Sequence, residues 1–168
     1  MRRLILLRHA KAQRAPAEDD IDRPLAPQGQ TDAALIGKVL AQEGLKPDRV
    51  LVSSALRTRQ TWEALKGAFP NADAQERRDL YLADARTLLN AVEEDESADT
   101  VLVLAHNPGV HNLAVALLRR DGAPPSVVAK LERGFPTATA VVFAIDAAGR
   151  ANYDGLFLVA EHGGAGTE

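Results

Sequence analysis

Arg8 and His9 close one apolar run, Leu4-Ile5-Leu6-Leu7, and His106 closes a second, Val101-Leu102-Val103-Leu104-Ala105. Between them, Val50-Leu51-Val52 leads through Ser53-Ser54-Ala55-Leu56 to Arg57. A guanidinium is permanently charged and offers a planar fork of N–H donors that matches phosphate or carboxylate oxygens. An imidazole serves as nucleophile, base or acid near neutral pH. Two of each at one place would form an anion site with a nucleophile inside it. Taken singly, each residue has a plainer explanation: a histidine at a strand end is usually a surface or capping residue, and an arginine in a first helical turn is usually solvated. Their convergence depends on the elements that carry them.

Continuous apolar runs of about four to eight residues suit strands covered on both faces of a parallel sheet. Ligands of such sheets sit outside the carboxyl ends of the strands. The chain alternates strand-like and helix-like patterns, with strands expected at Arg3–Leu7, Val50–Val52, Ala74–Arg77 and Thr100–Leu104. Three more are expected at Val127–Leu131, Thr139–Ile145 and Ala151–Val159, the last two joined by a hairpin at Asp146-Ala147-Ala148-Gly149. Helical stripes fall at Leu35, Ile36, Val39 and Leu40, at Thr61, Leu65 and Ala68, at Leu88, Leu89 and Val92, and at Val110, Leu113, Ala114 and Leu117. Ser53 or Ser54 is placed to cap the second helix and Asp84 the third, and the fourth opens with Asn107 at N-cap and Pro108 at N1. Glu93-Glu94-Asp95-Glu96 reads as a solvated surface run. The pattern predicts one three-layer α/β/α domain with a central, mainly parallel sheet over residues 1–162, and a disordered tail over 163–168. Arg8, His9, Arg57 and His106 then meet at one sheet edge, and the helix after His106 adds backbone donors there.

The bulk composition narrows the function. A length of 168 residues allows one domain with a sizeable core, and a net charge of −3 with a pI near 5.8 gives no basic face for nucleic acid. With no cysteines, thiolate nucleophiles and thiolate metal sites are excluded. No apolar stretch approaches a membrane span, and Met1 lies too near the first strand for a signal peptide, so the expected compartment is cytoplasmic. No metal-ligand pair of the H-E-x-x-H kind and no Gly-rich nucleotide loop appears, so neither metal nor cofactor is expected.

Arg8-His9-Ala10 after an apolar strand resembles the Arg-His-Gly signature of the histidine phosphatase superfamily, the phosphoglycerate mutase-like fold. Ser53-Ser54-Ala55-Leu56-Arg57-Thr58-Arg59-Gln60-Thr61 is similar to its second block and Ala105-His106-Asn107-Pro108-Gly109 to its third. Asp22-Arg23-Pro24-Leu25 followed by Gly29 is most similar to the small SixA-type phosphohistidine phosphatases. Alanine at position 10 departs from the usual glycine. The resemblance implies a metal-independent phosphohydrolase in which His9 takes the phosphoryl group, His106 stabilises its charge, and Arg8 and Arg57 grip its oxygens. It places Asp79 as the general acid, with Asp84, better explained as a cap, as competitor. A phosphohistidine leaves as an imidazole that needs little protonation, so the acid is dispensable for that substrate.

Further substrate contacts are expected from Lys11 and Arg14, which could steer an anion, from Arg23 at the rim, and from Ser54 at the phosphate pocket. His111 is expected in a polar wall of the cleft and His162 to be inert. The partner is a phosphorylated substrate, a histidine-phosphorylated protein being favoured, and the protein is expected to act as a monomer. The rival readings are a phosphatase of small phosphoesters and a phospho-ligand binding module without turnover. A mutase fits less well because the chain lacks room for the insertions that enclose a sugar diphosphate. A zinc hydrolase fits less well because two arginines would repel the cation. The same lack of insertions predicts an open cleft.

Overall fold

Leu4–Leu7 and Val101–Ala105 lie side by side in the computed structural model, which describes residues 1–14 and 18–166. The six strands are β1 (Arg3–Arg8), β2 (Arg49–Ser53), β3 (Asp73–Arg77), β4 (Thr100–Ala105), β5 (Thr139–Ile145) and β6 (Ala151–Leu158). They form one sheet in the order β3-β2-β4-β1-β5-β6, with β1 to β4 parallel and β5 and β6 antiparallel at one side. The helices are α1 (Pro27–Gln42), α2 (Leu56–Leu65), α3 (Ala85–Glu93), α4 (Gly109–Arg120) and α5 (Pro125–Glu132).

Side chains alternate across a strand, so each apolar run feeds two cores. Leu4, Leu6, Val101 and Val103 pack with α3 and α4, whereas Ile5, Leu7, Leu102 and Leu104 pack with α1 and α2. Every residue of β4 is buried. Each fully buried leucine or valine contributes about 1.5–3 kcal/mol, which makes β1 and β4 the most strongly determined elements. After β1 the chain passes to α1 on one face, and after β4 to α4 on the other. That divergence opens a crevice at the carboxyl ends of β1 and β4.

Three expectations are corrected. Val127–Leu131 forms the interior of α5, not a strand: Pro125 starts the helix at N1, and Leu131 is buried in the core that Val127 and Val128 flank. Their β-branched propensity yields to that packing. The tail expected to be disordered is tied down as far as it is described, to residue 166. The backbone N–H groups of Ala165 and Gly166 donate to Asp32, a carboxylate buried in α1, each at 3.0 Å. Asn107 does not cap α4, which begins at Gly109; its Nδ2 instead donates to the Phe135 carbonyl at 2.9 Å. The acidic run at the end of α3 lies at the surface as expected, where Glu94 pairs with Arg77 at 2.7 Å and Asp95 with Arg49 at 2.9 Å.

Two glycines set close approaches near the crevice. A Cβ at Gly29 would overlap the Lys11 carbonyl oxygen, and one at Gly109 the Ala83 carbonyl oxygen. The first seats the loop after β1 on α1; the second seats the turn before α3 on α4.

Candidate active site

Parallel register does most of the assembly. Arg8 of β1 pairs with Ala105 of β4, so His9 and His106 emerge as neighbours, their ring centroids 5.3 Å apart. The His9 N–H donates to the Ala105 carbonyl at 3.2 Å and its carbonyl accepts from Ala138 N at 3.1 Å, which fixes the backbone beneath the ring. The His9 ring itself is oriented by Nδ1–H donating to the Ala10 carbonyl at 2.7 Å. A carbonyl only accepts, so the proton sits on Nδ1 and the Nε2 lone pair is left for attack. Burial first, and then the charges of Arg8 and Arg57 with His106, hold the His9 pKa well below the ordinary histidine value. His9 is therefore a neutral imidazole in a single tautomer, with Nε2 unprotonated.

His106 is buried and its pKa is lowered to about 3, chiefly by burial and then by Arg57. It too is neutral near pH 7. Its Nε2 lies 2.7 Å from the Ser53 hydroxyl, and Ser53 Oγ also accepts from Ala55 N at 3.4 Å. With that hydroxyl donating to Nε2, the imidazole proton sits on Nδ1, a buried atom with no hydrogen-bond partner among the described residues. His106 can thus donate from Nδ1 to a phosphoryl oxygen without carrying charge. Replacing Ser53 with alanine is expected to lower kcat roughly tenfold, the scale of one hydrogen bond to a reacting group's support. Nitrogen-15 NMR of the His106 ring checks the cause: the variant should show mixed tautomers, and a single unchanged tautomer would sink the argument.

Arg57 lies in the first turn of α2 and is 2% exposed. Its Nη1 donates to the Asp20 backbone carbonyl at 2.7 Å and its Nη2 to the Asp20 carboxylate at 3.0 Å. Its Nε is buried with no hydrogen-bond partner among the described residues. Asp20 reaches it from the tip of the loop after β1. That loop closes on itself through an Ala12–Leu25 bridge and is anchored to α2 by Leu25 N donating to Gln60 Oε1 at 2.7 Å. Arg23 Nε and the Tyr81 hydroxyl also donate to Asp20, at 2.9 and 2.5 Å. The Tyr81 hydroxyl first, then Arg23 and Arg57, keep this carboxylate ionised, its pKa far below the ordinary value. Arg8 crosses to the other wall, where Nη1 donates to the Phe135 carbonyl at 3.0 Å.

These groups line one cleft of about 270 Å³, shared with Lys11, Arg14, Arg23, Leu82, Asn107 and Thr137. The structure thus gathers Arg8, His9, Lys11, Arg14, Arg23, Arg57 and His106 as the sequence suggests. It does not gather Ser54, Asp79, Asp84 or His111, and His162 stays apart as expected. Ser54 is outside the cleft lining, because β2 runs one residue further than expected and turns Ser53 toward His106. Asp79 is drawn off by Arg77, which donates to its two oxygens at 2.9 and 2.6 Å and lowers its pKa. Asp84 caps α3 by accepting from Thr87 N at 2.8 Å. His111 faces α5, its Nε2–H donating to the Leu131 carbonyl at 2.6 Å, so it is no wall of the cleft. His162 lies near the ring of Phe157, away from the site.

Sequence reasoning missed Asp20, Tyr81 and Ser53. The spacing Asp20-x-x-Arg23 on a loop is the one local signal for the first, since these two residues pair across it.

Two histidines and two arginines thus meet at the crevice of a doubly covered α/β sheet, an arrangement with the chemistry to hold a phosphoryl group. The family model described as histidine phosphatase superfamily (branch 1) matches residues 4–81. An uncharacterized protein of Mycobacterium tuberculosis is 33% identical over 140 residues, covering 83% of this chain and 87% of the relative. The chain belongs to the histidine phosphatase superfamily, and it is a phosphatase. A chloroplastic uncharacterized protein of Arabidopsis thaliana is 30% identical over 92% of this chain and 77% of its own. Among solved structures, one from Agrobacterium tumefaciens named for the phosphohistidine phosphatase SixA superposes with a TM-score of 0.82 at 31% identity, covering 93% and 97% of the two chains. Another so named, from Nakamurella, gives 0.79 at 32% identity over 93% and 95%.

Proposed function

We propose that this protein is a metal-independent phosphohistidine phosphatase acting on histidine-phosphorylated protein. In the first step His9 Nε2 attacks phosphorus of a substrate ring protonated on its other nitrogen, the bond from phosphorus to the substrate nitrogen breaks, and its electron pair leaves with neutral imidazole. In the second, water attacks the phosphoryl group on His9. The P–N bond breaks, its electron pair returns to Nε2, and the water proton leaves with the phosphate or to solvent. Arg8 and Arg57 hold the equatorial oxygens, and His106 Nδ1–H donates to one of them as charge redistributes. Lys11 and Arg23 draw the anion to the cleft.

One observation carries the choice of substrate. Asp20 is the one carboxylate lining the cleft among the described residues, and it is held ionised by Tyr81, Arg23 and Arg57. No carboxylic acid stands ready to protonate a leaving group. An alkoxide is far too basic to leave unaided, whereas a phosphohistidine ring protonated from solvent releases neutral imidazole, whose conjugate acid has a pKa of ~6.5. The SixA-named structures, at 31% and 32% identity, support the same substrate class. Open access to the cleft suits a substrate carried on a protein surface.

A leaving-group series tests this reading. Phosphohistidine, free or protein-borne, and p-nitrophenyl phosphate, whose phenolate is a weak base, should be hydrolysed. Alkyl phosphates should be at least about 100-fold slower, the scale of a missing general acid. Equal kcat/KM for alkyl phosphates would replace this reading with a phosphatase of small phosphoesters. Tight vanadate binding with no hydrolysis of any member would replace it with a binding module.

A further inference from the structure

Leu82 is the one large apolar side chain exposed among the described residues, at 53%, and it stands in the lining of the cleft. Its backbone is left-handed, with φ of 50°. Leucine is a poor residue for that conformation, because its Cβ crowds the following carbonyl; glycine or asparagine adopts it more readily. The neighbours are all committed to the fold. Leu80 is fully buried, the Tyr81 hydroxyl donates to Asp20, the Ala83 carbonyl packs on Gly109, and Asp84 caps α3. Leu82 alone in this turn combines an unfavourable backbone with a large apolar side chain left half-exposed. Folding does not explain a leucine here. A backbone outlier at a cleft points instead to a contact made from outside.

We infer that Leu82 is a docking residue for the protein that carries the phosphohistidine, packing on an apolar patch beside the modified histidine while Arg8 and Arg57 take the phosphoryl group. This inference rests on the phosphohistidine reading above. An imidazole bearing one phosphoryl group can reach His9 through a cleft of about 270 Å³ without covering its mouth. Leu82, half-exposed in that lining, is left for the surface around the imidazole to cover. Lys11 and Arg14 line the same cleft, so the carrier surface is apolar next to the phosphohistidine and tolerates, or supplies, acidic residues beyond it. Leu82 therefore discriminates the carrier from the small molecule.

The test compares wild type with Leu82→Asn and Leu82→Asp on three substrates: a histidine-containing protein phosphorylated with phosphoramidate, free phosphohistidine, and p-nitrophenyl phosphate. Asparagine suits the left-handed backbone, so thermal melting of Leu82→Asn should match or exceed wild type. The expected result is a roughly tenfold fall in kcat/KM on the protein substrate for Leu82→Asn and at least as much for Leu82→Asp. Rates on the two small substrates should stay within about twofold. Unchanged kcat/KM on the protein, or an equal fall on all three substrates, overturns the docking role while leaving the phosphohistidine reading intact. Wild type that hydrolyses the two small substrates but not the phosphoprotein overturns the protein-substrate reading itself, and the docking role with it.

Discussion

His9→Ala should abolish turnover, by on the order of 10⁴-fold or more, the scale on which loss of an enzyme's nucleophile is felt. It should also remove the acid-labile, base-stable phosphoenzyme expected when wild type is quenched in alkaline detergent during turnover of p-nitrophenyl phosphate. The Ala10 carbonyl holds the proton on Nδ1, burial and two guanidiniums keep the ring neutral, and the register of β1 on β4 sets it beside His106. Neutral imidazole is the reactive form, so a lowered pKa preserves the nucleophile as pH falls. NMR titration should accordingly show His9 neutral from pH 7 down past the ordinary histidine value of 6.5. His106 should protonate only near pH 3. A His9 ring that titrates at or above 6.5, or an alanine variant that retains the phosphoenzyme, would sink the nucleophile assignment.

How far the sequence alone leads depends on how local the cause is. β1 and β4 were legible because a strand buried on both faces must be apolar at every position, and Leu4–Leu7 and Val101–Ala105 are. His9, Arg8 and His106 follow at once, since a polar group directly after such a run has only the sheet edge to occupy. Val127–Leu131 is different: a short apolar run fits strand and helix alike, and only its contact with the core beside α4 decides. The choice between Ser53 and Ser54 turns on one residue of strand length, which flips a side chain across the sheet. Asp79 beside Leu80-Tyr81 sits where a cleft acid is expected, yet Arg77, two residues away, captures it. Such a capture is a contest between geometries that spacing does not rank.

Asp20 shows the limit most clearly. Within its own segment it is one of three consecutive acidic residues, Glu18-Asp19-Asp20, indistinguishable from a solvated loop. Its role comes from closure of the loop at Ala12 and Leu25 and from partners 37 and 61 positions away. The same contacts that made it unreadable explain why the site needs it. Arg57 is buried, and a flexible side chain in a cleft would lose part of its grip to conformational entropy. Two bonds from Asp20 pin its Nη groups.

Arg57→Ala should therefore cost about 10³-fold in kcat/KM, in the range seen when a guanidinium is removed from a transferring phosphoryl group. Arg57→Lys should recover no more than about tenfold of that, because an ammonium restores the charge but not the fork. The loss should fall on kcat as well as KM. Charge on the phosphoryl oxygens redistributes as transfer proceeds, so an interaction aimed at them is stronger in the transition state than in the bound substrate. Inorganic phosphate and vanadate, which occupy the same oxygen positions, should bind more weakly to both variants. Folding should survive the change: Asp20 is half-exposed and keeps Arg23 and Tyr81 as donors, so no uncompensated buried charge is left behind. A variant that melts like wild type and loses only KM would show Arg57 to be a uniform binding contact. One that keeps kcat/KM within tenfold of wild type would remove it from the phosphoryl site, leaving Arg8 and His106 to stabilise the transfer alone.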